Sequence, residues 1–205
     1  MSEAIVLVGG GGHARVVADA ARWAGVAIAG FVDDDPDASL GELKHLGPIA
    51  NASERWMLCI GDVPTRMRVL ESLRGVAWVV LHPAAILSER IEVSPGVFVG
   101  PGAVVNVGAV LGEHAIVNSA AIVEHDVRVG RASHVAPGAV LCGGAVVGEG
   151  CLIGAGAVVL PGMSVGDGAV VGAGAVVRGH VPPRTVAVGV PARVLEARGS
   201  FRGRS

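Results

Sequence analysis

Every sixth residue from Val93 to Val177 is Val, Leu or Ile, fifteen positions in succession, and no insertion breaks the count. The residue four places after each is mostly small, as at Ala103, Ala109, Ala115 and Ala121. Leu87 extends the register backwards by one unit. An α-helix of period 3.6 cannot hold this register, and a plain strand of period 2 does not require a small residue once in six. A strict period of six is the signature of a β-helix. Each hexad supplies one short flat strand and one turn, with the aliphatic residue pointing inward and the small residue filling the crowded interior. Three hexads close a coil of eighteen residues, so residues eighteen apart stack at roughly 4.8 Å. Fifteen hexads predict five coils of a three-sided prism, in which a polar residue at an inward position is costly.

Most of the prism is apolar, yet its acid–base groups crowd into one stretch. Asn118 to Val135 contains Glu124, His125, Asp126, Arg128, Arg131 and His134. In the hexad from Val123 to Arg128, His125 avoids the inward position and is expected to face out. An outward Glu-His-Asp cluster on an apolar scaffold points to catalysis more than to a structural histidine. Asp126 or Glu124 is placed to hold one ring nitrogen. Gly143, eighteen residues on, stacks one coil above His125, while His134 is half a coil away and faces another side. His45, His82, His114 and His180 are read as structural. His125 and His134 lack the short spacing of a zinc pair, so no metal is expected.

Residues 1–83 follow a different pattern. Strands are predicted at Ala4–Val8, Ala27–Val32, Arg55–Ile60 and Val76–Leu81, with helices at Ala14–Ala24 and Pro64–Leu73. Strands alternating with helices predict a small parallel, Rossmann-like α/β domain. Gly9-x-Gly11-x-x-Ala14 lies between strand and helix, and acidic residues, Asp33 and Asp34, close the second strand about twenty residues on. Glycines admit a ligand close to the backbone, and a helix N-terminus favours phosphate. The plainer reading is a tight turn that needs glycine. His13 either contacts the ligand or caps the loop. Residues 84–197 then form the β-helix, and 198–205 a flexible tail.

Composition excludes several classes. Sixteen basic and eighteen acidic residues give no field for nucleic acid or an anionic membrane. There is no Tyr, so a base-stacking surface is not expected. Three cysteines without C-x-x-C spacing supply no disulfide framework. Gly150–Gly166 is uncharged but broken by Gly and Pro and too short to span a bilayer. No signal peptide is read at the N-terminus, so a cytoplasmic protein is expected.

The motifs V-G-G-G-G-H-A-R-V-V-A-D (Val8–Asp19), F-V-D-D (Phe31–Asp34), N-S-A-A-I-V-E-H-D (Asn118–Asp126), S-H-V-A-P-G-A (Ser133–Ala139) and V-G-V-P-A-R-V (Val188–Val194) carry a family resemblance. The chain resembles the hexapeptide-repeat sugar acetyltransferases, both the sialic acid O-acetyltransferase (NeuD-like) and the bacillosamine-pathway (PglD-like) members. The resemblance implies a left-handed β-helix, a homotrimer with active sites between prisms, and acetyl-coenzyme A as donor. It implies His125 as general base with Asp126 as its partner. Gly143 would present its amide to the thioester oxyanion, and Asn118 would orient thioester or substrate. It places acetyl-coenzyme A contacts at His134, Ala155 and Ala173. It places a nucleotide-linked 4-amino-4,6-dideoxy sugar at Gly11, Gly12, His13, Asp33, Asp34 and Gly61. Acetylation of a sugar hydroxyl, or a non-catalytic nucleotide-sugar-binding role, are the alternatives.

Overall fold

The computed structural model describes residues 4–52 and 54–195; the tail expected at 198–205 lies outside them. The N-terminal part is a four-stranded parallel sheet of β1 (Ile5–Val8), β2 (Ile28–Val32), β3 (Arg55–Leu58) and β4 (Val76–Ala77) in the order β2-β1-β3-β4. Helix α1 (Gly12–Trp23) follows β1, and α2 (Val63–Ser72) follows β3. The all-buried run at Ile5–Val8 suits the centre of a sheet covered on both faces. Asp62 caps α2 by accepting from the Thr65 amide at 3.0 Å, and Pro64 sits in its first turn.

The strand expected over Val76–Leu81 divides in two. Val76–Ala77 stays in the α/β sheet, while Val80–Leu81 pairs with Phe98–Val99 and starts the prism. The six-residue count therefore begins at Leu81, one hexad before Leu87, and with the strands Val186–Val188 and Arg193–Val194 added at the other end the left-handed parallel β-helix has about seven turns instead of five. Its first face has eight strands and runs from Val80–Leu81 through His134–Val135 to Arg193–Val194. The second face has six strands, Ile86–Leu87 to Val176–Val177, and the third has five, Glu92–Val93 to Ser164–Val165. Up to Val176–Val177 each strand pairs in parallel with the one eighteen residues on, as in Ile122 with Val140 and His134 with Leu152, whereas Val186–Val188 pairs with Val170–Val171 in a shortened register and runs antiparallel to Arg193–Val194.

The inward positions form one continuous buried core from Val97 to Ala187. Burying a Val or Leu side chain contributes about 1.5–3 kcal/mol. Ser133 is the polar exception. Its hydroxyl donates to the Gly148 carbonyl at 2.6 Å and accepts from the Cys151 amide at 2.9 Å, so the expected cost of an inward polar group is offset locally.

The α/β domain rests on the first face. The outward residues Phe98 and Ile116 pack with α1, and Ala132 packs into the cluster around Trp56, Leu58 and Leu70. Among the described residues no helix is long and apolar enough to cross a membrane.

Candidate active site

From Gly96 to Gly174 each corner of the prism has one residue in the left-handed conformation, and this is normally glycine: Gly96, Gly102 and Gly108 below, Gly138 to Gly174 above. Four consecutive turns depart from this: His114, Ala120, Asp126 and Ala132, with φ of 53–60°. A side chain there costs roughly 1–2 kcal/mol. Three of the four have a visible reason. The His114 ring stacks on Trp56 at 5.5 Å, Ala132 is buried under α2, and Asp126 reaches back to His125.

His125 stands on the corner between the second and third faces, outward as the period predicts. Its side chain is 60% exposed, and Nδ1 lies 2.9 Å from Asp126 Oδ2. A carboxylate only accepts, so Nδ1 donates and the neutral ring presents its lone pair at Nε2. Glu124 is engaged elsewhere: it accepts from Asn106 Nδ2 at 3.0 Å. Between the two candidate acids, the geometry selects Asp126. Gly143 lies one coil above, where the ring covers it. A Cβ at Gly143 would stand 2.6 Å from His125 Cε1, inside van der Waals contact. The Gly143, Ala155 and Ala173 amides make no hydrogen bond among the described residues.

His134 lies on the first face and does not meet His125 within the chain. Its Nδ1 is 3.0 Å from the Gly61 carbonyl, and its Nε2 is 2.9 Å from Asn118 Nδ2. The carbonyl requires a proton on Nδ1, so Nε2 accepts from the amide of Asn118. Asn118 Oδ1 in turn accepts from the Ser119 amide at 2.8 Å. Burial lowers the His134 pKa, and the nearby Arg66 adds to this; the bond to Gly61 opposes it. Asn118, His134 and Gly61 thus form one same-chain network linking prism to α/β domain.

His13, in the first turn of α1, points into this junction. It meets Phe98 edge-on at 5.3 Å and His134 at 5.9 Å. Among the described residues its Nε2 is enclosed without a partner, and burial, then Arg66 and His134, push its pKa down to about 3. The glycine loop divides in function. Gly9 has φ +107° and Gly10 is closed in by Phe31 and Ala38, so both serve the turn. Gly11 and Gly12 are exposed with open space where a Cβ would be, leaving room above the loop. Asp33 is a strut, accepting from the Gly10 amide at 2.6 Å and the Asp35 amide at 2.8 Å. Asp34 accepts from the Ile49 amide at 2.9 Å through one oxygen and is exposed.

A cavity of about 590 Å³ opens beside Gly61, between the start of α2 and the first face. Val63, Pro64, Met67, Leu152 and Val170 line it, with Asp62, Glu149, Asp167 and Arg184. Sequence reasoning missed it, although the period places Leu152 and Val170 in the outward column directly above His134. It also missed Arg66, which is wholly buried. Its spacing from Val63 and Leu70 on α2 carried that signal. Among the described residues no group of three or more His, Cys, Asp or Glu could hold a metal ion.

Comparisons with known proteins agree with this architecture. Residues 4–73 match the PglD N-terminal domain, and residues 144–179 match the bacterial transferase hexapeptide (six repeats). No curated protein sequence matches. The acetyltransferase domain of PglB from Neisseria gonorrhoeae FA1090 is 33% identical, with TM-score 0.88 over 93% of this chain and 98% of that one. PerB from Caulobacter crescentus, solved with CoA and GDP-perosamine, is 34% identical, with TM-score 0.87 over 96% and 99%. WeeI from Acinetobacter baumannii AYE shares the fold at 23% identity, TM-score 0.81, over 94% and 99%.

Proposed function

The chain belongs to the PglD-like hexapeptide-repeat sugar acetyltransferases, and from that premise we propose that it transfers acetyl from acetyl-coenzyme A to the amine of a nucleotide-activated 4-amino-4,6-dideoxy sugar. The observation that carries this reading is the His125 ring: outward, oriented through Nδ1 by Asp126, and laid over Gly143. PerB, solved with a nucleotide amino sugar and CoA, and the PglB domain, solved with acetyl-coenzyme A, support the choice of substrates.

In this mechanism the neutral sugar amine attacks the thioester carbon. His125 Nε2 takes the proton that the nitrogen loses as the C–N bond forms. Asp126 stabilises the resulting imidazolium. The unpartnered Gly143 amide donates to the tetrahedral oxyanion. Collapse breaks the C–S bond, and the proton on His125 passes to the departing thiolate. The amides of Ala155 and Ala173 are free to bind the coenzyme. The acceptor's phosphates lie over Gly11 and Gly12, with Asp34, Asp33 and His13 around the nucleoside and Gly61 beside the sugar. The coenzyme and the activated sugar are intracellular metabolites, which supports action in the cytoplasm.

We infer a homotrimer. The outward column of the second face is apolar throughout: Ile86, Val104, Ile122, Val140, Val158 and Val176. Such a stripe calls for burial, and His125 stands on the corner beside it. Docking this edge on a neighbour's first face brings His125 of one subunit towards His134, Asn118 and Gly61 of the next.

A thiol-release assay with acetyl-coenzyme A and UDP-, GDP- and dTDP-linked 4-amino sugars tests the proposal. Turnover on at least one is expected. Silence across the panel, with turnover on a free sugar hydroxyl, overturns it.

A further inference from the structure

Among the described residues Arg66 is a buried cation with no carboxylate partner. It lies on the inner side of α2 with no exposed surface. Its Nε and Nη2 donate to the His114 carbonyl at 3.0 and 2.5 Å, and Nη1 donates to the Ile60 carbonyl at 2.7 Å. A longer contact of 3.5 Å reaches the Leu58 carbonyl. His114 belongs to a prism corner, while Leu58 and Ile60 lead out of β3 into Gly61. One guanidinium therefore ties the two parts of the molecule together.

Among the described residues no counter-charge stands beside it. Burial brings the Arg66 pKa down to about 10, which leaves it protonated at neutral pH. The neighbouring Cys59 thiol is pushed up to about 12 by burial and stays neutral. Burying a charge costs several kcal/mol, and an apolar side chain in its place is often neutral or stabilising. Stability alone does not explain an arginine here. What arginine supplies is a rigid planar fork able to hold carbonyls on two sides at once.

The held segment continues into the site. Ile60 precedes Gly61, whose carbonyl accepts from His134 Nδ1, and His134 Nε2 accepts from Asn118. We propose that Arg66 is a positioning residue that locks the Gly61 turn to the prism corner at His114 and thereby fixes the orientation of His134 and Asn118 where the coenzyme and the sugar meet. Its kinetic consequence rests on the acetyltransferase reading; its geometric consequence does not.

The test uses Arg66→Lys and Arg66→Gln in the full-length protein. Long-range ¹H–¹⁵N spectra report the His134 tautomer without any substrate. The wild-type ring is expected as the Nδ1–H form, with mixed tautomers in both variants. A wild-type ring protonated at Nε2 overturns the network even if neither variant folds. In kinetics, Arg66→Lys is expected to raise KM by about tenfold for acetyl-coenzyme A, the expected partner of His134, and for the nucleotide sugar, the expected partner of Gly61. Combination with His134→Gln is expected to be non-additive, since both act through the Gly61 turn. An unchanged tautomer and unchanged KM for both substrates in folded Arg66→Lys overturn the proposal. Failure of the wild type on every amino sugar would instead overturn the activity and leave the tautomer result standing.

Discussion

Replacing Gly143 by Ala separates catalysis from stability. An added Cβ would lie 2.6 Å from His125 Cε1 and 3.1 Å from Cδ2, with Nε2 in the same close contact. Carbon atoms rest at about 3.5–4.0 Å, so the ring must retreat by about 1 Å. The ring is 60% exposed and can swing into solvent without disturbing the core. The Asp126 contact at 2.9 Å is then lost together with the aim of Nε2. A displacement of about 1 Å at a reacting group costs on the order of 10²-fold in rate. Gly143→Ala is therefore expected to lower kcat about 10²-fold with a melting temperature close to wild type. Gly144 is the control. It has φ +66° and open space around a Cβ, so Gly144→Ala is expected to cost about 1 kcal/mol of stability and to retain the His125 geometry. Thiol release at saturating acetyl-coenzyme A, alongside thermal melting, reads both. A folded Gly143→Ala protein with wild-type turnover would refute the placement of the base.

Other consequences reach the rest of the molecule. Ser133→Ala leaves the Gly148 carbonyl and Cys151 amide without their inward partner, and should lower stability by about 1–3 kcal/mol; an unchanged denaturant midpoint would contradict this. Ala120 is exposed at φ 53°, so Ala120→Gly should raise stability by about 0.5 kcal/mol, and a fall in melting temperature would count against strain at that turn. Acid should destabilise the fold. Burial lowers the pKa of His13 to about 3 and of His114 to about 4, with Arg66 adding to both, and also lowers that of His134. As pH falls below the ordinary value of about 6.5, the unfolded chain takes up protons that the folded chain refuses. Stability is then complete above about 6.5 and declines toward pH 4. A melting temperature independent of pH across that window, or a slope unaltered by His114→Asn, would contradict the assignment.

Much of this was legible in the sequence because the prism is a one-dimensional object. A fixed period determines which side chains are inward, which stack, and on which corner His125 lies, so the pairing of His125 with Gly143 follows from counting to eighteen. The count reached back to Leu87 and stopped one hexad short because Leu81 sits in a run that also reads as the last strand of the α/β sheet. Contacts between the two parts were not legible, since no period relates them. That Gly61 meets His134, that Asn118 is engaged by that ring, and that Arg66 is buried all depend on how the α/β domain sits on the first face. The glycine loop was half legible: the motif marked it, but only the three-dimensional surroundings separate Gly9 and Gly10, which the turn needs, from Gly11 and Gly12, which it does not.

In the proposed reaction everything turns on His125 Nε2 removing the proton as a nucleotide-linked sugar amine attacks acetyl-coenzyme A. Single-turnover acetylation by His125→Ala, with both substrates shown to bind, tests it most directly. The variant is expected to show at least a ~10²-fold slower chemical step with affinities close to wild type. Acetylation at the wild-type rate by that variant would contradict it.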